Sequence, residues 1–387
     1  MVSITVSGPS GYRIPFNRPT RSRHDSEYVA QALAHGHYCG DGPFTARCHD
    51  MLERTLDARR VLLTTSCTHA LEMAAFLGRI EPGDEVIVPS FTFVSSINAF
   101  VIRGATPVFA DIRPDTLGID ERQLDALITP RTRVIVVLHY AGVGCQMDEI
   151  ARIAAERGIM IVEDNAHGLF GRFRGRLLGS FAALSTLSFH ETKNLTCGEG
   201  GALVLNDESL IERAEVLREK GTDRVRFRRG LVDKYEWIDV GSSYLPSDIL
   251  AAMLCAQLEE REGIQARRAK LWERYARELA GWASANGVTL PVIPDDREQS
   301  FHMFYVLMPS LEFRDHVVAH LKARAILAVS HYVPLHSSPV GLRFGGVIGS
   351  CPVTERVAMT LLRLPFFTQM TDAEQSEVIE AIKECRA

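Results

Sequence analysis

The chain has 387 residues, 46% of them hydrophobic and 24% charged, with a formal net charge of −5. That balance excludes wholesale disorder, and the acidic surplus argues against a general nucleic-acid binder. No apolar run approaches the ~18 residues of a membrane helix, and Met1–Pro19 lacks a basic stretch followed by an apolar core, so a soluble, cytoplasmic protein is expected.

From the N-terminus to about residue 245, short β-branched runs alternate with helical patterns. The runs predicted as strands are Val61–Leu63, Glu85–Val88, Pro107–Phe109, Val134–His139, Ile159–Val162, Leu184–Phe189 and Ala202–Leu205. Thr68–Leu77, Ser95–Ile102, Glu121–Ile128 and Met147–Glu156 read as helices between them, and Pro82-Gly83-Asp84, Gly104 and Arg157-Gly158 as turns. Such alternation predicts an α/β domain with a mainly parallel, doubly wound sheet of seven strands. The last two runs lie too close together for an intervening helix and are expected to be antiparallel.

Near Pro246 the texture changes. Ser247 to about Trp282 reads as one long helix, interrupted near Gly263. A strand (His302–Met308), a helix (Glu312–Ala325), a strand (Ile326–Tyr332), a helix after Pro352 and a last helix from Asp372 complete a smaller α+β unit. The expected division is 1–245 for a large domain and 246–387 for a connecting helix and small domain.

The eight cysteines form no C-x-x-C pair, which argues against a zinc ribbon or disulfide scaffold. No H-E-x-x-H, Walker A or G-x-G-x-x-G fingerprint occurs, so no metal ligand set or dinucleotide site is read. The basic residues include only six lysines. Lys220 ends a helix pattern, Lys270, Lys322 and Lys383 lie on amphipathic helices, and Lys234 sits in a polar loop. Lys193 alone follows an apolar strand and precedes the glycine-rich Cys197–Gly201. A lysine buried there is either salt-bridged or has a lowered pKa, the second making its amine able to attack a carbonyl and hold it as a Schiff base.

Asp164 closes the strand Ile159–Asp164, at the carboxyl end where open α/β sheets bind ligands. A carboxylate there either caps the next turn or keeps a pyridine nitrogen protonated. His167 follows within reach of a ring hydroxyl, or is a structural histidine. Thr64–Leu71 runs from a strand end into a helix, where backbone N–H groups and the Ser66 and Thr68 hydroxyls either cap the helix or meet a phosphate. Ser188 could add a hydroxyl, and Phe91 or Phe93 could stack on a flat ring or pack in the core.

Together these segments resemble the DegT/DnrJ-type sugar aminotransferases, fold-type I enzymes dependent on pyridoxal 5'-phosphate (PLP). Ser188–Asn194 with Gly198–Gly201 is similar to the family's Schiff-base lysine motif, Glu163–His167 to its pyridinium motif, and Thr65–Thr68 to its phosphate turn. The resemblance implies catalytic roles for Lys193 and Asp164, and a cofactor site of Ser66, Cys67, Thr68, Phe93, Asp164, His167, Ser188 and Lys193. It further implies Ser243 reaching a neighbouring subunit's phosphate, hence a homodimer with shared sites, although many members carry Asn at that position. Cys39–Gly42, Arg218–Thr222, Asp239–Pro246 and His331–His336 bring the match closest to dTDP-4-keto-6-deoxyglucose 4-aminotransferases, with L-glutamate as amino donor. His331 and His336 then fall near the sugar. The basic run Arg224–Arg229, with Arg229 at its end, either contacts the nucleotide diphosphate or is a solvated loop. Open alternatives are a 3-keto nucleotide sugar as acceptor, or a sugar dehydrase or regulator of the same fold.

Overall fold

The computed structural model describes residues 11–387. The β-branched runs form β1 (Arg60–Thr64), β2 (Glu85–Pro89), β3 (Thr106–Ala110), β4 (Thr132–Leu138), β5 (Met160–Asp164), β6 (Leu184–Ser188) and β7 (Gly201–Leu205). They make one sheet in the order β1-β7-β6-β5-β4-β2-β3. Its chief helices are α1 (Asp25–His35), α2 (Pro43–Leu56), α3 (Cys67–Leu77), α4 (Ser95–Val101), α5 (Met147–Arg157) and α6 (Ile211–Arg218).

Successive residues of a strand point to opposite faces, and β4 shows the consequence. Val134 and Val136 pack with Leu71 and Ala74 of α3 and Phe100 of α4. Ile135 and Val137 pack with Ile150 and Ile153 of α5 on the other face. A strand buried on both faces must be apolar throughout, which is why these runs stand out in the sequence.

Only β7 runs against the rest. It pairs antiparallel with both β1 and β6, whereas β6 is parallel to β5, with Val162 opposite Leu184. The last two runs are thus antiparallel to each other, as their close spacing predicts. Residues 165–183 carry the chain back across the sheet without a long helix, through the short pair Arg172–Phe173 and Arg176–Leu177. The following segment, 189–200, stays at the strands' carboxyl end and carries Lys193.

β1 is a sheet edge, and its outward backbone groups are covered by side chains, which blocks pairing with another chain. Val61 N donates to Glu53 Oε1 (3.0 Å), Leu63 N to His49 Nε2 (2.9 Å), and Leu63 O accepts from Arg218 Nε (2.7 Å). Burial pulls His49 down to about 3, so its ring is neutral and able to accept. Neither α1 nor α2, which places His49 and Glu53, is foreseen in the strand-by-strand reading of the sequence.

The long helix expected after Pro246 is two: α7 (Asp248–Glu259) and α8 (Arg261–Ala285). The break falls at Glu260, and Gly263 lies inside α8. Asp248 of α7 caps α2, accepting from Phe44 N (3.3 Å), Thr45 N and Thr45 Oγ1 (both 2.8 Å). Beyond lie β8 (Tyr305–Leu307), α9 (Leu311–Ala323), α10 (Pro352–Thr360), β9 (Leu361–Arg363) and α11 (Asp372–Glu384). A capping box of Thr371 and Glu374 opens α11. β8 is shorter than the predicted His302–Met308, and Ile326–Tyr332 is no strand. It makes only isolated bridges, Ile14 to Ile326 and Val329 to Arg363, because no longer partner runs beside it.

A second core joins Leu271, Tyr275, Phe304, Val317, Leu321 and Ile379, and Ile14 from the N-terminal segment packs into it. Where the two units meet, Phe91 and Tyr140 pack against Met303, Tyr305 and Leu361. No helix among the described residues is long and apolar enough to cross a membrane.

Candidate active site

A cavity of about 560 Å³ opens at the carboxyl ends of the strands, between the sheet and the C-terminal unit. The sheet side contributes Ser66, Cys67, Thr68, Phe93, Asp164, His167, Ser188 and Lys193, eight residues singled out in the sequence from widely separated segments. The C-terminal unit contributes His302, His331, Tyr332 and Arg363.

Lys193 sits in the β6–β7 connection, where its backbone N donates to His190 O (2.9 Å). The next residue, Asn194, fixes this loop. Its Nδ2 donates to Gln265 Oε1 (2.9 Å) and Ser300 O (2.8 Å), and its Oδ1 pairs with His302 Nδ1 (3.0 Å). Burial lowers the Lys193 amine to about 8, offset in part by Cys67 and Asp164 and reinforced by Arg363. At neutral pH a useful fraction is uncharged and nucleophilic. Cys67 is no competitor, because burial pushes its thiol up to about 12.

Asp164 ends β5, 4% exposed. Ser96 Oγ donates to Oδ2 (2.6 Å) and Ala166 N to Oδ1 (3.2 Å), which fixes the carboxylate. Burial raises its pKa and these donors oppose the rise, so the acid is poised to share a proton with a basic nitrogen. The adjacent Glu163 is structural. Wholly buried, it accepts from Gly179 N, Phe181 N and Ala182 N (2.7–2.8 Å) and pairs with His139.

His167 stacks on His302, centroids 4.4 Å apart, and its Nε2 lies 3.5 Å from Tyr332 Oη. Its Nδ1 is buried without a hydrogen-bond partner among the described residues. Burial and nearby cations hold the ring neutral.

The Thr65–Thr68 turn leads into α3, where Ser66 caps His69 N (3.2 Å) and Thr68 Oγ1 lies 2.8 Å from Ser95 Oγ. β7 begins against this turn at Gly201, where a Cβ would fall 2.3 Å from Cys67 N. Only glycine permits that approach. Phe91 is fully buried, whereas Phe93 lines the cavity and is 56% exposed.

Three residues named from the sequence lie elsewhere. His336 is corrected to a structural role: it is fully buried, with Nδ1 2.6 Å from Ser90 Oγ and Nε2 2.8 Å from Glu355 Oε1. Ser243 is exposed and bridges to Glu219. Arg229 lines a separate pocket of about 230 Å³ and pairs with Glu215 (2.7 Å). The Arg224–Arg229 run is a short helix, Arg224–Arg228, whose later arginines are exposed and ion-paired at the surface. Sequence reasoning passed over His302, Tyr332 and Arg363, because a residue in the small unit carries no mark of facing the sheet.

The donors present fit PLP. A lysine amine without an ion pair among the described residues, a buried carboxylate, an orphaned ring nitrogen and a hydroxyl-lined helix start share one cavity. Residues 19–383 match the model of the DegT/DnrJ/EryC1/StrS aminotransferase family. The spore coat polysaccharide biosynthesis protein SpsC of Bacillus subtilis (strain 168) is 31% identical over 379 residues, 96% of each chain. DesV of S. venezuelae, solved in complex with a ketimine intermediate, is 33% identical with a TM-score of 0.84, covering 93% of this chain and 94% of its own. The PLP form of Spr1654 from Streptococcus pneumoniae aligns with a TM-score of 0.88 at 27% identity, over 97% of this chain and 98% of that one. The chain therefore belongs to the DegT/DnrJ/EryC1/StrS aminotransferase family and is a PLP-dependent aminotransferase.

Proposed function

We propose that this aminotransferase moves the amino group of L-glutamate to C4 of dTDP-4-keto-6-deoxy-D-glucose, giving a dTDP-4-amino-4,6-dideoxyhexose. The observation that carries the chemistry is one cavity holding a Lys193 amine that has no ion pair among the described residues and is lowered to about 8, together with a buried, hydrogen-bonded Asp164. The choice of a sugar is supported by the segments named above and by SpsC, a spore coat polysaccharide biosynthesis protein.

When bound, PLP supplies an electron sink for bond changes at the amino carbon. Lys193 Nζ would hold the cofactor, and its free amine would move the proton at the reacting carbon, work typically worth ~10²–10⁴ in rate. Asp164, held by Ser96 and Ala166, keeps a proton on the ring nitrogen. His167 would serve the ring hydroxyl, Phe93 would stack on the ring, and Ser66, Cys67, Thr68 and Ser188 would hold the phosphate at the positive end of α3. His331 faces the sugar.

The working unit is proposed as a cytoplasmic homodimer with shared sites, each chain divided at 245/246 into its two domains. Residues 227–240 expose Phe227, Leu231, Tyr235, Trp237, Ile238 and Val240, with Trp237 79% exposed, as expected of a surface that another protein covers. Ser243 and Arg229, both outside this chain's own cavity, then serve the neighbouring subunit's site.

The test is to prepare the pyridoxamine form, add dTDP-4-keto-6-deoxyglucose and follow the visible absorbance. Its return supports the reading. No return, in an enzyme that L-glutamate still converts, rejects this acceptor and points to 3-keto nucleotide sugars.

A further inference from the structure

Arg363 is the cavity's second cation, and nothing in the function above uses it. It ends β9 and is held at the backbone by Val329, Arg363 N donating at 2.8 Å and Arg363 O accepting at 3.1 Å. Its guanidinium lies over the Phe16 ring, 4.4 Å from the centroid. Nη1 donates to His331 Nε2 (3.2 Å). Guanidinium cannot accept, so His331 Nε2 is bare and its Nδ1–H donates to Tyr140 Oη (3.1 Å). Arg363 Nε is buried with no partner among the described residues.

Among the described residues no carboxylate pairs with this arginine; only the Tyr140 and Tyr332 hydroxyls favour its charge. Asp164, the buried acid of the cavity, is taken up by Ser96 and Ala166. His167, His302 and His331 are all held neutral, and Arg363 contributes to that in each case. The result is a rigid fork with unmet donors beside Lys193, which suits a planar anion.

We propose that Arg363 binds a carboxylate of the amino donor. An amino acid carries a carboxylate one bond from its reacting carbon, so that group must enter the cavity with the amine. The diphosphate of a nucleotide sugar sits on C1, across the ring from a C4 ketone, and need not. This inference rests on the proposed glutamate-dependent reaction.

The experiment is a pair of single-turnover half-reactions with wild type, R363Q and R363K, and equilibrium binding of glutarate, a dicarboxylate with no amine to react. R363Q should raise the Kd for L-glutamate about 10- to 100-fold, lose glutarate binding to a similar degree, and leave the Kd of the keto sugar within about threefold of wild type. R363K, with the charge but not the fork, should fall between. Wild type alone supplies a check independent of any variant's folding, because glutarate should compete with L-glutamate whereas uncharged glutaramide should not. Unchanged glutamate and glutarate affinity in R363Q, or glutaramide competing as well as glutarate, overturns the proposal. Loss of keto-sugar affinity with normal glutamate binding also overturns it, assigning Arg363 to the acceptor. Failure of wild type to use the keto sugar bears only on the acceptor, because the donor arm is read separately.

Discussion

The hollow beside β1 and the catalytic cavity both hold buried cations, and they differ in what answers the positive charge. Beside β1, Arg218 pairs with Asp41 (2.7 Å), Arg228 with Asp41 (2.9 Å) and Glu219 (3.3 Å), Arg229 with Glu215 (2.7 Å), and Arg60 with Glu53 (3.1 Å). In the catalytic cavity Lys193 and Arg363 have no acid partner among the described residues, and Asp164 is committed to neutral donors. A buried cation with a carboxylate set against it holds elements together, here α6 against the sheet edge. An unmatched cation costs desolvation without a return until a ligand supplies the counter-charge. The same side chains therefore serve architecture in one hollow and ligand capture in the other.

If that contrast is right, removing a cavity cation harms chemistry and spares the fold, and removing a buried paired cation such as Arg218 does the reverse. Lys193→Ala should lower transamination about 10⁴-fold or more while the cofactor-free protein melts no lower than wild type. Appreciable steady-state turnover by this variant would end the assignment of Lys193.

Arg218→Ala leaves Asp41 partly buried and Leu63 O without its donor, so urea denaturation should show a loss of about 3–5 kcal/mol. A loss below about 1 kcal/mol would mean the network beside β1 is not structural.

The third prediction concerns pH. The Lys193 pKa is lowered from the ordinary 10.5 to about 8 in the fold, so between those values the unfolded chain binds more protons and stability rises with pH. Below about pH 8 the penalty is complete. Cofactor-free Lys193→Met should then melt a few degrees above wild type at pH 7, with the gap closing toward pH 10.5. A gap that ignores pH would trace to packing alone.

The smallest stability effect is expected at Arg229, whose side chain is half exposed in its pair with Glu215. Arg229→Glu should change stability by at most about 1 kcal/mol, yet raise KM for the nucleotide sugar several-fold. An unmoved KM would leave Arg229 no part in substrate binding.

The sheet was legible because strands buried on both faces must be continuous apolar runs, and all seven occur within a residue or two of where β1 to β7 lie. Direction was harder to read. Whether β6 returns parallel depends on the path of residues 165–183, and that path has no helical period to announce it. Helices α1 and α2 escaped notice because their apolar faces meet α7 and the sheet edge rather than the interior of an α/β unit. His331 and His336 flank the same proline at equal-looking positions, yet one faces the cavity and the other is locked between Ser90 and Glu355. Five residues of separation turn a side chain toward different neighbours according to how the loop packs, which local sequence does not encode.

By itself, then, the sequence determined the elements and the sheet side of the site. Lys193, Asp164 and the Ser66–Thr68 turn sit at strand ends, and in a mainly parallel sheet those ends converge on one edge whatever else the chain does. Only the tertiary structure decided the opposite wall. His302, His331, Tyr332 and Arg363 reach the cavity because the C-terminal unit folds back over that edge, and an arginine becomes a ligand-binding group only once packing has left it without an acid.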